Sequence, residues 1–172
     1  IGCDLHIADI ESGRFLSITK TTQEAEQPAI SPDSKEIVFT VAERDFDLLQ
    51  FSAADPILKP LVTTSRSEFS PSWSPVGSQL AFATDRAGVA QIWLKSLSDG
   101  WERPLVSAKD LGRTWISSFN DLSFAADGQR LAFAVSRAGS HSIYVFNSAG
   151  GPLIKLTTQD EEERAPSWSP DG

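Results

Sequence analysis

The chain has a single cysteine, Cys3, and so no internal disulfide. No apolar run approaches the roughly 18 residues of a transmembrane helix. A charged n-region followed by an apolar h-region, the mark of a signal peptide, is missing as well. Basic residues are scarce: 15 Lys and Arg stand against 23 Asp and Glu, a net charge of −8. Nucleic acid requires a basic footprint, so DNA and RNA are not expected partners. Anionic membrane surfaces are disfavoured for the same reason. A basic peptide, a cation or a basic patch on another protein stays compatible. Sustained helical periodicity is lacking, and ten prolines with eleven glycines punctuate the chain.

Catalytic signatures are lacking too. There is no Gly-x-Ser-x-Gly elbow, and the two histidines, His6 and His141, have no Cys or His neighbour at ligand spacing. Asp4-Leu5-His6 places two possible ligands on one strand face, too few for a metal site. No calcium loop of alternating carboxylates occurs. The expectation is no catalytic residue, no cofactor and no metal.

What the chain does have is a repeated phrase. Its copies are Ile30-Ser31-Pro32-Asp33-Ser34, Trp73-Ser74-Pro75-Val76-Gly77, Phe124-Ala125-Ala126-Asp127-Gly128 and Trp168-Ser169-Pro170-Asp171-Gly172. Their final residues lie 43, 51 and 44 apart. A period of about 40–45 residues with strand patterning predicts four-stranded propeller blades. With 172 residues and 40% hydrophobic content the chain suits one globular domain.

The clearest unit reads as follows. Ser70 to Ser74 alternates ahead of a Pro75-Val76-Gly77 turn, and Gln79 to Thr84 is apolar enough to be covered on both faces. Asp85-Arg86-Ala87-Gly88 turns into a third strand, Ala90 to Lys95. Ser98-Asp99-Gly100 turns again, and Arg103 to Val106 forms an outer strand where Pro104 is tolerable at an edge. The expected fold class is all-β, a propeller of four-stranded antiparallel blades.

Pro-Ser-Trp-Ser-Pro-Asp-Gly, then Leu-Ala-Phe, Asp-Arg-x-Gly and Ile-Trp or Ile-Tyr, resembles the TolB-type propeller repeat. Pro71 to Trp93 carries almost the whole motif and departs at Val76, where aspartate is usual. Pro166 to Gly172 restarts it intact, whereas the unit from Asp121 has Leu122 for proline and Phe124-Ala125-Ala126 for Trp-Ser-Pro. Such repeats occur in periplasmic TolB, in peptidase propeller domains and in bacterial sensors or regulators. The resemblance therefore implies a periplasmic or extracytoplasmic binding scaffold. The alternative is a propeller that gates a serine peptidase domain lying outside this sequence. Ile1-Gly2-Cys3 also resembles a lipoprotein cleavage box, but Gly2 falls where Gly88 and Gly139 fall, so Cys3 reads as a loop-to-strand residue.

Residues 1–22 supply the last two strands of a blade, 27–64, 70–107 and 120–158 three full blades, and 164–172 a first strand. About four blades make a partial ring, since closed propellers need about 4–8. The expectation is part of a longer propeller, or copies that assemble to close a ring.

The turns of the repeated phrase should share one face with the Gly100 turn. The Asp-Arg-x-Gly loops and the connections between blades should share the other. That second face carries Arg44, Arg86, Arg113 and Arg137, together with Arg66, Glu68, Arg164 and the acidic run Asp160 to Glu163. It could select a protein or peptide partner, although recurrence of the arginines points to local bracing of their own loops. The 51-residue interval contains an insertion, about Lys109–Phe119, with Leu111, Trp115, Ile116 and Phe119. An aromatic loop there could anchor a partner, or fold down on a neighbouring blade. The candidate partner-binding residues are Arg44, Arg86, Arg113, Trp115, Phe119 and Arg137.

Overall fold

A computed structural model describes residues 5–19, 24–42, 46–112, 116–148, 151–158 and 162–172. Its regular structure is strand, apart from one 3-10 turn at Ala108–Leu111. Blade 1 comprises β3 (Glu24–Ile30), β4 (Glu36–Ala42), β5 (Phe46–Ser52) and β6 (Asp55–Val62). Blade 2 comprises β7 (Glu68–Trp73), β8 (Gln79–Thr84), β9 (Gln91–Ser96) and β10 (Glu102–Ser107). Blade 3 comprises β11 (Ser118–Phe124), β12 (Arg130–Arg137), β13 (Ser140–Asn147) and β14 (Ile154–Lys155). A two-stranded sheet of β1 (His6–Ala8) and β2 (Phe15–Ser17) precedes them. Within each blade consecutive strands pair antiparallel. Among the described residues the sheets do not close into a ring.

Apolar residues fill the spaces between sheets. Val38, Leu48 and Val62 meet Trp73, Leu80 and Phe82 between blades 1 and 2. Ile92, Val106 and Ala81 meet Phe119, Leu131 and Phe133 between blades 2 and 3. Leu5 and Ile18 pack against Ala25, Phe39 and Phe51 at the start of blade 1. The second strands are therefore covered on both faces: β8 is buried from Leu80 to Thr84 and β12 from Leu131 to Ser136. Outer strands β6 and β10 face water along most of their length, which lets Pro56, Pro60 and Pro104 sit in them without breaking a ladder.

The recurring turn has a backbone reason. Its last residues, Ser34, Gly77, Gly128 and Gly172, all have φ between 58° and 78°. Glycine adopts this left-handed region freely, so three of the four copies carry it. At Gly128 space matters as well: a Cβ there would lie 2.1 Å from Cγ2 of Val76 in the preceding blade.

First strands extend further back than the sequence places them, to Glu24, Glu68 and Ser118. A β-bulge lets pairing continue. Register shifts between Glu26 and Ala29, Phe69 and Ser72, and Asn120 and Ser123. Inside each shift one non-glycine residue is left-handed: Gln27 (53°), Ser70 (51°) and Asp121 (53°). Ala165, at the corresponding place in the last copy, has φ 51°.

Candidate binding site

The bulge residues touch one another from blade to blade. Ser70 N–H donates to Gln27 Oε1 at 2.9 Å, Asp121 N–H to Ser70 Oγ at 3.2 Å, and Ala165 N–H to Asp121 Oδ2 at 3.1 Å. A left-handed residue turns its N–H out of its own ladder, and the previous blade's side chain accepts it. A second set of bonds runs beside this one. Trp73 Nε1 donates to the Ala29 carbonyl at 3.0 Å and Trp168 Nε1 to the Ser123 carbonyl at 2.9 Å. Phe124, which has no indole, replaces tryptophan in blade 3, and there the backbone N–H of Phe124 donates to Ser72 Oγ at 3.2 Å. Gln27, Pro28, Ser70, Pro71, Asp121 and Leu122 line a cavity of about 200 Å³ where the innermost strands converge.

The sequence candidates separate clearly. Arg44, Arg113 and Trp115 lie outside the described residues. Phe119 is fully buried in β11, edge-to-face with Phe133 at 5.6 Å between ring centres, so it belongs to the core and offers nothing to a partner. Leu111 and Ile116 also pack onto that core. The described part of the insertion thus folds down on blades 2 and 3.

Arg86 is committed internally. Its guanidinium lies 4.7 Å from the Trp93 ring and 5.0 Å from that of Phe82, and pairs with Glu102 and, at 3.5 Å, with Glu68. Lys95 joins the same network at 2.8 Å from Glu102. Glu68, expected on the rim, is instead 0% exposed, because β7 begins with it. Its Oε1 accepts from Thr64 at 2.6 Å, while Oε2 has no hydrogen-bond partner. Burial pushes the Glu68 carboxyl above its usual pKa, and the Thr64 bond and the Arg86 charge only partly oppose this. Burial acts likewise on Glu102, but the bonds from Lys95 and Arg86 outweigh it and hold that carboxyl down. Asp85 ties its loop to the connection between blades, accepting from Ser67 N–H at 3.2 Å. The bracing reading of these residues is the one their geometry fits.

Arg137 alone of the described candidates is exposed, at the end of β12. It borders a cavity of about 240 Å³ with Leu111, Ile116, Val135, Tyr144 and Lys155. A larger cavity, about 530 Å³, opens on the opposite face near Ser31, Asp33, Trp73, Pro75 and Lys95. Two of its charged members are already engaged: Asp33 with Ser31 and Lys35, Lys95 with Glu102.

Among solved structures, TolB from Acinetobacter baumannii matches with a TM-score of 0.71 over 91% of this chain at 21% identity. A putative TolB from Agrobacterium tumefaciens matches with a TM-score of 0.72 over 97% of this chain at 19% identity. The fold is that of the TolB propeller. The chain spans 39% and 66% of those two structures. A prolyl endopeptidase matches as well, with a TM-score of 0.61, 11% identity and coverage of 84% of this chain and 21% of that one. No family model matches the chain.

Within this propeller the bond ladder along the axis escaped sequence reasoning. Gln27, Ser70 and Asp121 share only a side-chain oxygen and Ala165 lacks one, so the equal spacing of the four to the recurring turn is the signal that could have revealed them. Among the described residues no cluster of three or more His, Cys, Asp and Glu could hold a metal ion. No helix among the described residues is long and apolar enough to cross a membrane.

Proposed function

We propose that this chain is a binding scaffold that receives a protein or peptide partner at its axis and adjoining loop face. The axial cavity is the observation that carries this reading. Three consecutive blades each contribute a polar residue and a proline or leucine to it, all from rigid inner strands. Fixed polar groups beside apolar surface, held by a stiff frame, suit recognition of a peptide side chain. The net charge of −8, with Asp121 at the axis, favours a basic one. Likeness to TolB supports an extracytoplasmic setting. Likeness to a prolyl endopeptidase supports the second reading, in which this propeller gates a peptidase domain outside the sequence.

Selection of a displayed peptide library on the immobilised chain tests the first reading. Enriched peptides should carry Lys or Arg and bind roughly tenfold more weakly to Asp121→Asn, the loss of one charge-assisted bond. Lys35→Ala, on the opposite face, should leave them unaffected. No enrichment, or enriched peptides indifferent to Asp121, would overturn it.

A further inference from the structure

Arg137 stands 51 residues after Arg86, the interval that also separates Asp121 from Ser70, so the two arginines occupy one position of the repeat. Their surroundings correspond pairwise. Phe82 opposite Trp93 in blade 2 becomes Phe133 opposite Tyr144 in blade 3. The carboxylates do not carry over. Glu68, which pairs with Thr84, is replaced by Phe119, which pairs with Val135. Glu102 is replaced by Leu153, which packs on the core. Blade 2 thus displays an arginine over two aromatic rings with its carboxylates supplied by the chain. Blade 3 has an arginine and two rings at the same repeat positions, but Arg137 is exposed at the end of β12, and both acids are absent there. Among the described residues Arg137 makes no ion pair, and a cavity of about 240 Å³ lies beside it.

We infer that this cavity binds a carboxylate of a peptide partner, which gives Arg137 the counter-charge that Glu102 gives Arg86 in blade 2. The lining supports an anion with an apolar neighbour. Arg137 brings an unpaired positive charge into an otherwise acidic protein, and Ser140, Ser142 and Thr158 add hydroxyl groups. Leu111, Ile116 and Val135 form the opposing apolar wall. The guanidinium repels a metal ion, and the overall charge repels a polyanion such as nucleic acid. A planar guanidinium matches a carboxylate through two parallel hydrogen bonds. The volume suits a single residue, such as a leucine at a chain end or a glutamate beside an aliphatic side chain. This assignment rests on the reading of the loop face as a peptide-binding surface and specifies one contact of it.

Backbone amide NMR of the whole chain titrated with N-acetyl-leucine tests it, with N-acetyl-leucinamide as the uncharged control. The acid should shift the amides of Ser142 and Tyr144, and the amide should not. Arg137→Gln should weaken the acid about tenfold or more, as loss of a charge-assisted pair implies. Arg137→Gln, at an exposed position, should keep a dispersed spectrum. Equal shifts by acid and amide, or undiminished binding to Arg137→Gln, would overturn the site. Tighter binding of D-glucuronate than of N-acetyl-leucine would overturn the peptide assignment. If library-selected peptides still bind Arg137→Gln at full strength, the carboxylate site fails while the scaffold reading stands.

Discussion

The backbone N–H of Ser70 donates to Oε1 of Gln27 at 2.9 Å, across 43 residues of sequence and from one blade to the next. Both residues are the left-handed member of a β-bulge. The bulge has two effects at once. It turns a backbone donor away from its own sheet and aims it at the preceding blade. Blade-to-blade registry near the axis therefore rests on hydrogen bonds as well as on the apolar cores between sheets.

Removing the acceptor should expose that dependence. Gln27→Ala leaves the N–H of Ser70, a residue only 4% exposed, without its partner. An unsatisfied buried donor costs about 1–3 kcal/mol. The midpoint of thermal unfolding should fall by roughly 2–4 °C for each kcal/mol in a chain of this size. An unchanged midpoint would show that water or a neighbouring group satisfies the donor just as well.

Ser34 is the exception among the recurring turns. It adopts φ 58° where the other copies place glycine. A left-handed L-residue costs about 1–2 kcal/mol, offset in part by the greater freedom that glycine gains in the unfolded chain. Ser34→Gly should raise stability in urea by about 0.5–1 kcal/mol. Gly128→Ala, by contrast, introduces a methyl group against Val76 and should lower it. Loss of stability in Ser34→Gly would mean that the serine hydroxyl contributes more than the backbone term.

Glu68 should make stability depend on pH with a definite sign. Its folded pKa lies above the unfolded value because burial disfavours the carboxylate. Between those two values the folded chain holds the proton that the unfolded chain has released. The favourable contribution is therefore complete below the unfolded pKa and is lost as pH rises through the folded one. Glu68→Gln keeps the shape without the charge and should gain on the wild type as pH moves from about 4 to about 7. Urea midpoints of both proteins at the two pH values check this. A gap that stays constant or shrinks would show that the bond from Thr64 and the pairing with Arg86 outweigh burial.

Much of the fold was legible in the residues. Gln79 to Thr84 is apolar on both faces of a strand, and it is buried on both faces because sheets pack against each side. Trp73 and Trp168 fit as packing residues of the repeat, yet their indole N–H groups also reach a carbonyl of the previous blade. Phe119 and Glu68 were misplaced for one shared reason. Each lies at the head of a first strand, and the bulge extends that strand into what the sequence presents as a loop. A charge at that place looks like a rim residue until the neighbouring sheet covers it.

The sequence by itself determined the period, the turns and the strand order, because those depend on local alternation and on backbone freedom at Gly77, Gly128 and Gly172. Tertiary structure decided which polar groups are spent and which are available. Arg86 and Arg137 look alike in sequence, but one is enclosed by Glu68 and Glu102, while the corresponding positions in the next blade hold Phe119 and Leu153. Those positions lie 16 or 18 residues from each arginine, in other segments of the same blade. Only the packing of the strands brings the two acids to Arg86.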